Sequence, residues 1–160
     1  MALLGREHLL AALLTLSIVG VATGHAANVR AIDGDTLVMG DQRIRLAGID
    51  APERRQPCWM HGEPWPCGLA AAAAMAHLID GRTVVCRPRD TDRWGRIVAD
   101  CAAGAQDLAT AMVAGGWALP WPRYLPEGSP LPAVADAARQ ARTGIWRGAF
   151  VRPWDWRRAH

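Results

Sequence analysis

Residues 29–53 read VRAIDGDTLVMGDQRIRLAGIDAPE, and this stretch decides the fold. Val29–Ile32 and Leu37–Met39 are apolar, β-prone runs on either side of Asp33-Gly34-Asp35, a strong signal for a hairpin turn. Gly40-Asp41 supplies a second turn. Arg43-Ile44-Arg45-Leu46 then alternates polar with apolar residues, the period of a strand with one face against a core. The run ends at Asp50-Ala51-Pro52-Glu53, where proline has no N–H to continue a ladder. Three successive strands are expected here.

Working outward, residues 54–67 show no sustained period and read as a loop. Gly68–Asp80 is rich in alanine, a strong helix former, and Gly81 is its stop signal. Thr83–Cys86 and Ile97–Cys101 read as the fourth and fifth strands. Asp107–Gly115 reads as an amphipathic helix with Leu108, Ala111, Met112 and Gly115 on one stripe. Residues 118–132 carry five prolines and are expected to be extended or turning, and Ala133–Arg142 is a third helix. The order is three strands, helix, two strands, two helices. It predicts an α+β domain with a mainly β core: a five-stranded antiparallel barrel of the oligonucleotide-binding (OB) type with three α-helices, formed without a parallel crossover.

The chain has 160 residues, which suits a single domain. With 51% apolar and 21% charged residues, the composition excludes disorder, and it also excludes collagen-like repeats and a multi-span membrane protein. All 18 basic side chains are arginine, against 15 acidic ones, for a net charge of +3. Arginine's planar fork suits phosphate or carboxylate partners, although an arginine- and alanine-rich chain is equally what a biased genome composition gives.

Residues 1–26 read MALLGREHLLAALLTLSIVGVATGHA: a short polar start, an apolar run from Leu9 to Ala22, then small residues that offer a cut after Ala26 or Gly24. This is the layout of a secretory signal peptide, and it predicts a periplasmic or secreted protein whose folded domain is 27–160. The rival is an uncleaved inner-membrane anchor over residues 9–22, a run short of the roughly 20 residues a spanning helix needs. Export agrees with an even cysteine count. Cys86 and Cys101 lie symmetrically about Arg93-Trp94, so a hairpin turning near Asp92–Gly95 sets them opposite each other. Cys58 and Cys67 close a loop containing Pro64 and Pro66. The preferred pairing is 58–67 and 86–101; zinc held by Cys58, His61 and Cys67 is the competing use.

Several polar residues sit at strand ends beside Gly or Pro turns: Asp33, Asp35, Asp50 and Glu53, with Arg45 on a strand and Arg96 just after Trp94-Gly95. Singly, each is an ordinary turn former or surface charge. Together they match a particular chemistry. Phosphodiester hydrolysis needs a hard cation held by carboxylate oxygens, an oriented water and positive charge on the phosphorus centre. Asp35 and Asp50 supply the first, Glu53 the second, and Arg45 with Arg96 the third, since arginine stays protonated and pairs with phosphate oxygens.

Three blocks carry a family resemblance: Ile32-Asp33-Gly34-Asp35-Thr36-Leu37, Arg43 through Glu53, and Asp92-Arg93-Trp94-Gly95-Arg96. It continues through Gly115-Gly116-Trp117-Ala118, Tyr124 and Ala141–Trp146, covering roughly residues 28–157. In these blocks, in order and in spacing, the chain resembles the staphylococcal nuclease (thermonuclease) family. The resemblance implies a calcium-dependent, sugar-nonspecific endonuclease that cleaves DNA and RNA to 3′-phosphate ends, with one Ca2+ per chain and an OB barrel. It implies Arg45, Glu53 and Arg96 as the catalytic trio. It further implies Asp35, Asp50 and the Ala51 backbone carbonyl as calcium ligands, with Asp33 acting through water. Arg93 then lies near a nucleotide phosphate and Tyr124 under a base. Single-stranded or unwound nucleic acid is the expected partner, and a monomer without a stable protein partner is the expected state.

The chain also departs from the family. Ala51 stands where the family has threonine, and the cysteine-containing stretch 54–67 differs from the namesake's flexible loop. Trp59 and Trp65 could stack on unpaired bases or pack against the barrel. Trp146, Trp154 and Trp156 are expected to pack the tail against the body, leaving Arg147, Arg152, Arg157 and Arg158 at the surface. The alternative function is a non-catalytic OB module that grips nucleic acid or another polyanion in the cell envelope.

Overall fold

A computed structural model describes residues 28–160. The signal-peptide and anchor readings of residues 1–26 lie outside the described residues. The first three strands form where the turns predict: β1 (Val29–Ala31), β2 (Thr36–Met39) and β3 (Gln42–Leu46), each antiparallel to the next. After a turn at Ala47-Gly48 comes the two-residue β4 (Ile49–Asp50). Gly48 has φ 73°, a left-handed conformation that glycine adopts without a Cβ penalty.

Residues 54–67 are not a loop. Cys58–Met60 (β5) and Glu63–Trp65 (β6) pair antiparallel about a turn at His61-Gly62. Strands of three residues are too short to show a period, and a disulfide, Cys58–Cys67, ties the hairpin to the helix that follows. The two sulfurs are thus paired with each other, as the preferred pairing has it. Helix α1 (Cys67–Ile79) ends at Asp80, with Gly81 at φ 65° as the predicted stop. Its alanines allow close approach, and Ala71, Met75 and Ile79 enter the core.

β7 (Val84–Thr91) and β8 (Ile97–Ala103) form the predicted hairpin, with Cys86 directly opposite Cys101 and bonded to it. The main sheet runs β1-β2-β3-β8-β7, the five predicted strands, and β9 (Gln106–Asp107) pairs with β8 as a sixth. It is not wholly antiparallel, because β8 lies parallel to β3. The second strand of the hairpin, not the first, takes the interior position. In β8, Ala99, Cys101 and Ala103 are buried, whereas β7 is exposed over Arg87-Pro88-Arg89. Charge and proline belong on an edge. The curled, half-barrel sheet with its helices is the expected OB-like α+β architecture.

Helix α2 (Leu108–Ala114) is capped by Asp107, whose carboxylate accepts from the Thr110 N–H at 2.7 Å. β10 (Leu119–Pro120) pairs with β4 and backs Asp50. A 3-10 turn follows at Pro122–Tyr124. Helix α3 (Leu131–Gln140) starts two residues earlier than expected, since Pro132 sits in its first turn, where no N–H is needed. A second 3-10 turn spans Gly144–Arg147. The tail then adds a fourth helix, α4 (Pro153–Ala159), beyond the three predicted; it too opens on proline.

Leu37, Ile44 and Leu46 of the sheet meet Met75 of α1 and Leu108 and Met112 of α2 in the main core. A second cluster of Cys58, Cys67, Leu119 and Ile145 gathers Trp65, Trp146, Phe150 and Trp154. Trp146 and Trp154 of the tail and Trp65 of β6 thus pack, as the packing alternative for Trp65 has it, whereas Trp156 stacks on His160 instead of joining a core cluster. Trp59, 36% exposed, bridges by its backbone to Ala149.

Candidate active site

The site begins with an arginine where the strand pattern predicts solvent. Arg43 and Arg45 share one face of β3; Arg43 is exposed, but Arg45 is only 8% exposed. The face is covered at that end by the turn before β2, by β4 and by Trp121. A buried guanidinium requires partners. Arg45 Nη1 donates to Asp35 Oδ1 at 2.7 Å, and Nη2 donates to Asp50 Oδ1 at 2.6 Å and the Ile49 carbonyl at 3.2 Å. Its guanidinium carbon lies 5.5 Å from the centre of the Trp121 ring.

The two aspartates are held as firmly. Asp35 Oδ2 accepts from the Ala51 N–H at 2.8 Å, and its Oδ1 also accepts from the Thr36 hydroxyl at 3.0 Å. Its carbonyl accepts from the Leu46 N–H at 2.8 Å, pinning the turn to the end of β3. Gly34 makes this approach possible: a Cβ there would lie 2.6 Å from the Ala51 Cβ. Burial pushes the Asp35 carboxyl up, but Arg45 and the donors from Ala51 and Thr36 outweigh it and hold the carboxyl below its ordinary value. Asp33, whose Oδ1 accepts from the Asp35 N–H at 3.0 Å, is pushed up to about 7 by burial and by the charge of Asp35. Burial likewise pushes Asp50 up, against the two guanidinium groups on it.

Glu53 follows Pro52 on a short bridge. Its N–H donates to Gln56 Oε1 at 3.3 Å and its carbonyl accepts from the Gln56 N–H at 2.8 Å. Helix α1 starts against this bridge so closely that a Cβ on Gly68 would stand 1.7 Å from the Glu53 carbonyl oxygen.

Sequence reasoning missed the fifth member. Arg157, expected at the surface, donates from Nη2 to Asp50 Oδ2 at 2.7 Å and from Nη1 to Glu53 Oε1 at 2.8 Å. Burial lowers its proton affinity, but the contacts with Asp50 and Glu53 dominate and raise it. Its partners lie 104 and 107 positions upstream, so no local pattern could reveal the pairing; the cue was Pro153 opening a short aromatic and arginine-rich helix.

Arg96, expected beside Arg45, makes no hydrogen bond or ion pair with Asp35, Arg45, Asp50 or Glu53 in the structure. Its Nε donates to Asp92 Oδ2 at 2.7 Å and its guanidinium lies 5.2 Å from the Trp94 ring centre. It shares the sheet face of Arg45 all the same: it stands two residues before Val98, which lies opposite Arg45. Arg93 stacks on exposed Trp94, with 4.2 Å to the ring centre, and Tyr124, 54% exposed, meets Trp121 edge-on at 4.6 Å. The Ala51 N–H is spent on Asp35, as described above.

As the residues stand, no three His, Cys, Asp or Glu side chains among the described residues are arranged to hold a metal ion. The donor chemistry nonetheless fits a hard divalent cation: the candidate ligands are all oxygens, and Asp35, Asp50 and Glu53 exceed the two arginines by one negative charge.

Residues 43–148, from β3 through the second 3-10 turn, match the model of the staphylococcal nuclease homologue family. The chain belongs to the staphylococcal nuclease family. Over 139 residues, which are 83% of this chain and 84% of the relative, it is 34% identical to an uncharacterized endonuclease of Escherichia coli. It is 32% identical over 78% of its length to a probable staphylococcal-like nuclease of Oryza sativa subsp. japonica, covering 31% of that longer protein. It is also 32% identical over 86% of its length to a succinoglycan biosynthesis protein of Rhizobium meliloti, covering 73% of it. The Arg45–Glu53 segment that builds the site lies inside the matched region, as does Arg96; Asp35 and Arg157 lie outside it.

Proposed function

We propose that the protein is an exported, calcium-dependent endonuclease that hydrolyses DNA and RNA phosphodiesters without regard to sugar and leaves 3′-phosphate ends. The observation that carries this reading is the buried Asp35–Arg45–Asp50 network with Glu53 beside it. A turn, a strand and a short bridge, consecutive in the chain, fold back on one another to build it, at a cost in desolvation that a plain surface would not bear.

Asp35, Asp50 and the Ala51 carbonyl would hold the ion, with Asp33 acting through water. A bound calcium would supply positive charge to a non-bridging phosphate oxygen. Arg45 has five N–H donors, of which three are spent on protein oxygens. The remaining two are its means of stabilising charge that builds on phosphorus, in a ring of partners that keeps it from reorienting. Glu53, a third exposed, is the group that accepts a proton from the attacking water. Arg96 joins the site when its side chain exchanges Asp92 for a phosphate, which its place on the face of Arg45 permits. Arg93, Trp94 and Tyr124 offer stacking and charge for unpaired bases and their phosphates, which favours single-stranded or unwound substrate. Two disulfides agree with export to the periplasm or beyond. The working unit is a monomer.

The alternative, a binding module that does not cut, is favoured by two contacts: Arg96 with Asp92, and Glu53 with Arg157. Plasmid and RNA digestion with calcium, with magnesium and with chelator, run on wild type beside Glu53→Ala, decides between them. The nuclease reading expects calcium-dependent cleavage that Glu53→Ala abolishes; binding without cleavage in every lane supports the module.

A further inference from the structure

Arg157 is unlike Arg45 in a way that matters. Arg45 is locked: its side chain is 10% exposed and lies between two aspartates and a tryptophan. Arg157 is 32% exposed, comes from a seven-residue helix at the end of the chain, and reaches the site from outside. Of the two guanidinium groups, that of Arg157 is the one open to solvent.

Its position is specific. The guanidinium spans the gap between Asp50 and Glu53, one nitrogen on each carboxylate. With Arg45 on Oδ1 and Arg157 on Oδ2, both oxygens of Asp50 are engaged by guanidinium groups. The approach is also built. Ala149 and Trp59 exchange backbone hydrogen bonds at 2.8 Å, and Gln56 Nε2 donates to the Val151 carbonyl at 2.6 Å. Trp154 stacks on Trp121 with ring centres 6.2 Å apart and planes 6° apart. Arg157 itself lies 5.4 Å from the Trp121 ring centre. Gln56 is the same residue that holds the Glu53 bridge, so one buried amide joins the carboxylate to the segment that delivers its arginine.

We infer that Arg157 is a tethered cation that competes with the divalent ion for Asp50, and that it holds Asp50 and the neighbouring base Glu53 until metal binding displaces it. The inference rests on the divalent site proposed above. The competition is electrostatic and direct: with Arg157 seated, three carboxylates face two guanidinium groups and an incoming ion meets one net negative charge. With Arg157 withdrawn it meets two, and finds an Asp50 oxygen and the Glu53 carboxylate without a donor on them. The device keeps a buried acidic cluster compensated in the free enzyme and makes seating of the Arg157 guanidinium and metal binding mutually weakening, by the reciprocity that any coupling between two sites obeys.

The test is calcium binding, not activity. Isothermal titration of calcium into the full chain, wild type beside Arg157→Gln and Arg157→Lys, reads the competition. Arg157→Gln is expected to bind calcium at least about fivefold more tightly, the lower end of usual coupling between sites. Arg157→Lys, which cannot bridge two carboxylates with one fork, is expected to fall between. Equal or weaker calcium affinity in Arg157→Gln overturns the inference, and if circular dichroism shows that variant unfolded, the same criterion applies to Arg157→Lys. Equal affinities beside intact calcium-dependent cleavage overturn the competition alone. Absence of calcium binding in wild type and both variants overturns it together with the calcium part of the proposed function.

Discussion

Arg45 is the buried cation that Asp35 and Asp50 share. Removing it leaves Asp35 and Asp50 buried at 3% and 0% exposure without their shared cation. Breaking such a buried pair costs about 3–5 kcal/mol, because the uncompensated charges remain. Arg45→Ala is therefore expected to lower the urea midpoint by that equivalent and to abolish cleavage, whereas Arg43→Ala, on the exposed part of the same strand, changes stability by less than about 0.5 kcal/mol. Denaturation curves of the two variants side by side check this.

Asp92 gives a residue-scale prediction in pH. Its carboxylate accepts from the Trp94 and Arg96 N–H groups at 3.0 Å each and from Arg96 Nε. Burial raises its pKa, but the Arg96 and turn contacts prevail and hold it below the ordinary value of 3.8. The folded state therefore binds the proton less readily than the unfolded chain. The stabilisation is present in full above the ordinary value and is lost as pH falls through the lower folded one. Asp92→Asn is expected to remove this part of the acid-side loss and to loosen the turn that presents Trp94. Urea titrations between pH 2 and pH 6 (about two units on either side of the carboxylate range) check the first effect.

At the scale of elements, the β5–β6 hairpin and the start of α1 form the wall that carries Glu53. Gly68 is the contact point, since any Cβ there collides with the Glu53 carbonyl. Gly68→Ala is expected to displace the Glu53 backbone and to lower both stability and cleavage; the thermal midpoint reads the first, and initial rates per folded molecule read the second. The Cys58–Cys67 disulfide pins the same wall. Replacing both cysteines with alanine is expected to cost about 2–3 kcal/mol, a magnitude usual for a short closed loop, and the denaturant midpoint measures it. Substitution at Cys86 and Cys101, in a hairpin away from Glu53, is expected to cost stability while leaving the cleavage rate of the folded fraction unchanged.

Element by element, the chain signals what is local. The turn at Asp33–Asp35, the Asp107 cap and the Gly81 stop are each decided within a few residues, and each forms as its residues dictate. What depends on distant partners was less legible. The parallel seating of β8 against β3 follows from β7 being too charged and proline-broken for an interior position. That cue was present in Arg87-Pro88-Arg89, but strand order alone does not reveal it. The β5–β6 strands are too short to carry a period, and Pro132, read with the extended or turning stretch 118–132, in fact opens a helix.

At the scale of the molecule the same division holds for the site. Asp35, Arg45, Asp50 and Glu53 are within 19 positions of one another, and tight turns and short strands gather them, so their convergence was readable. Arg157 comes from the opposite end of the chain and is placed by tertiary packing of Trp154 on Trp121. Arg96 is placed by register, but its side chain answers to the nearer charge of Asp92. The buried centre is thus made by the N-terminal strands, while Arg96 comes from the β7–β8 turn, paired with Asp92, and Arg157 comes from the tail, paired with Asp50 and Glu53. An excess of arginine over acidic residues across the chain predicts binding to single-stranded oligonucleotide that weakens steeply with salt.

The central claim is that Glu53, beside the Asp35–Arg45–Asp50 network, accepts the proton of the water that cleaves nucleic acid. The most direct test is the single-turnover cleavage rate of a labelled single-stranded oligonucleotide in calcium, wild type against Glu53→Gln, with binding measured in parallel. The account predicts a rate loss of roughly 10²–10⁴-fold, the range for removal of a general base, with oligonucleotide affinity nearly unchanged. Cleavage by Glu53→Gln at the wild-type rate would contradict it.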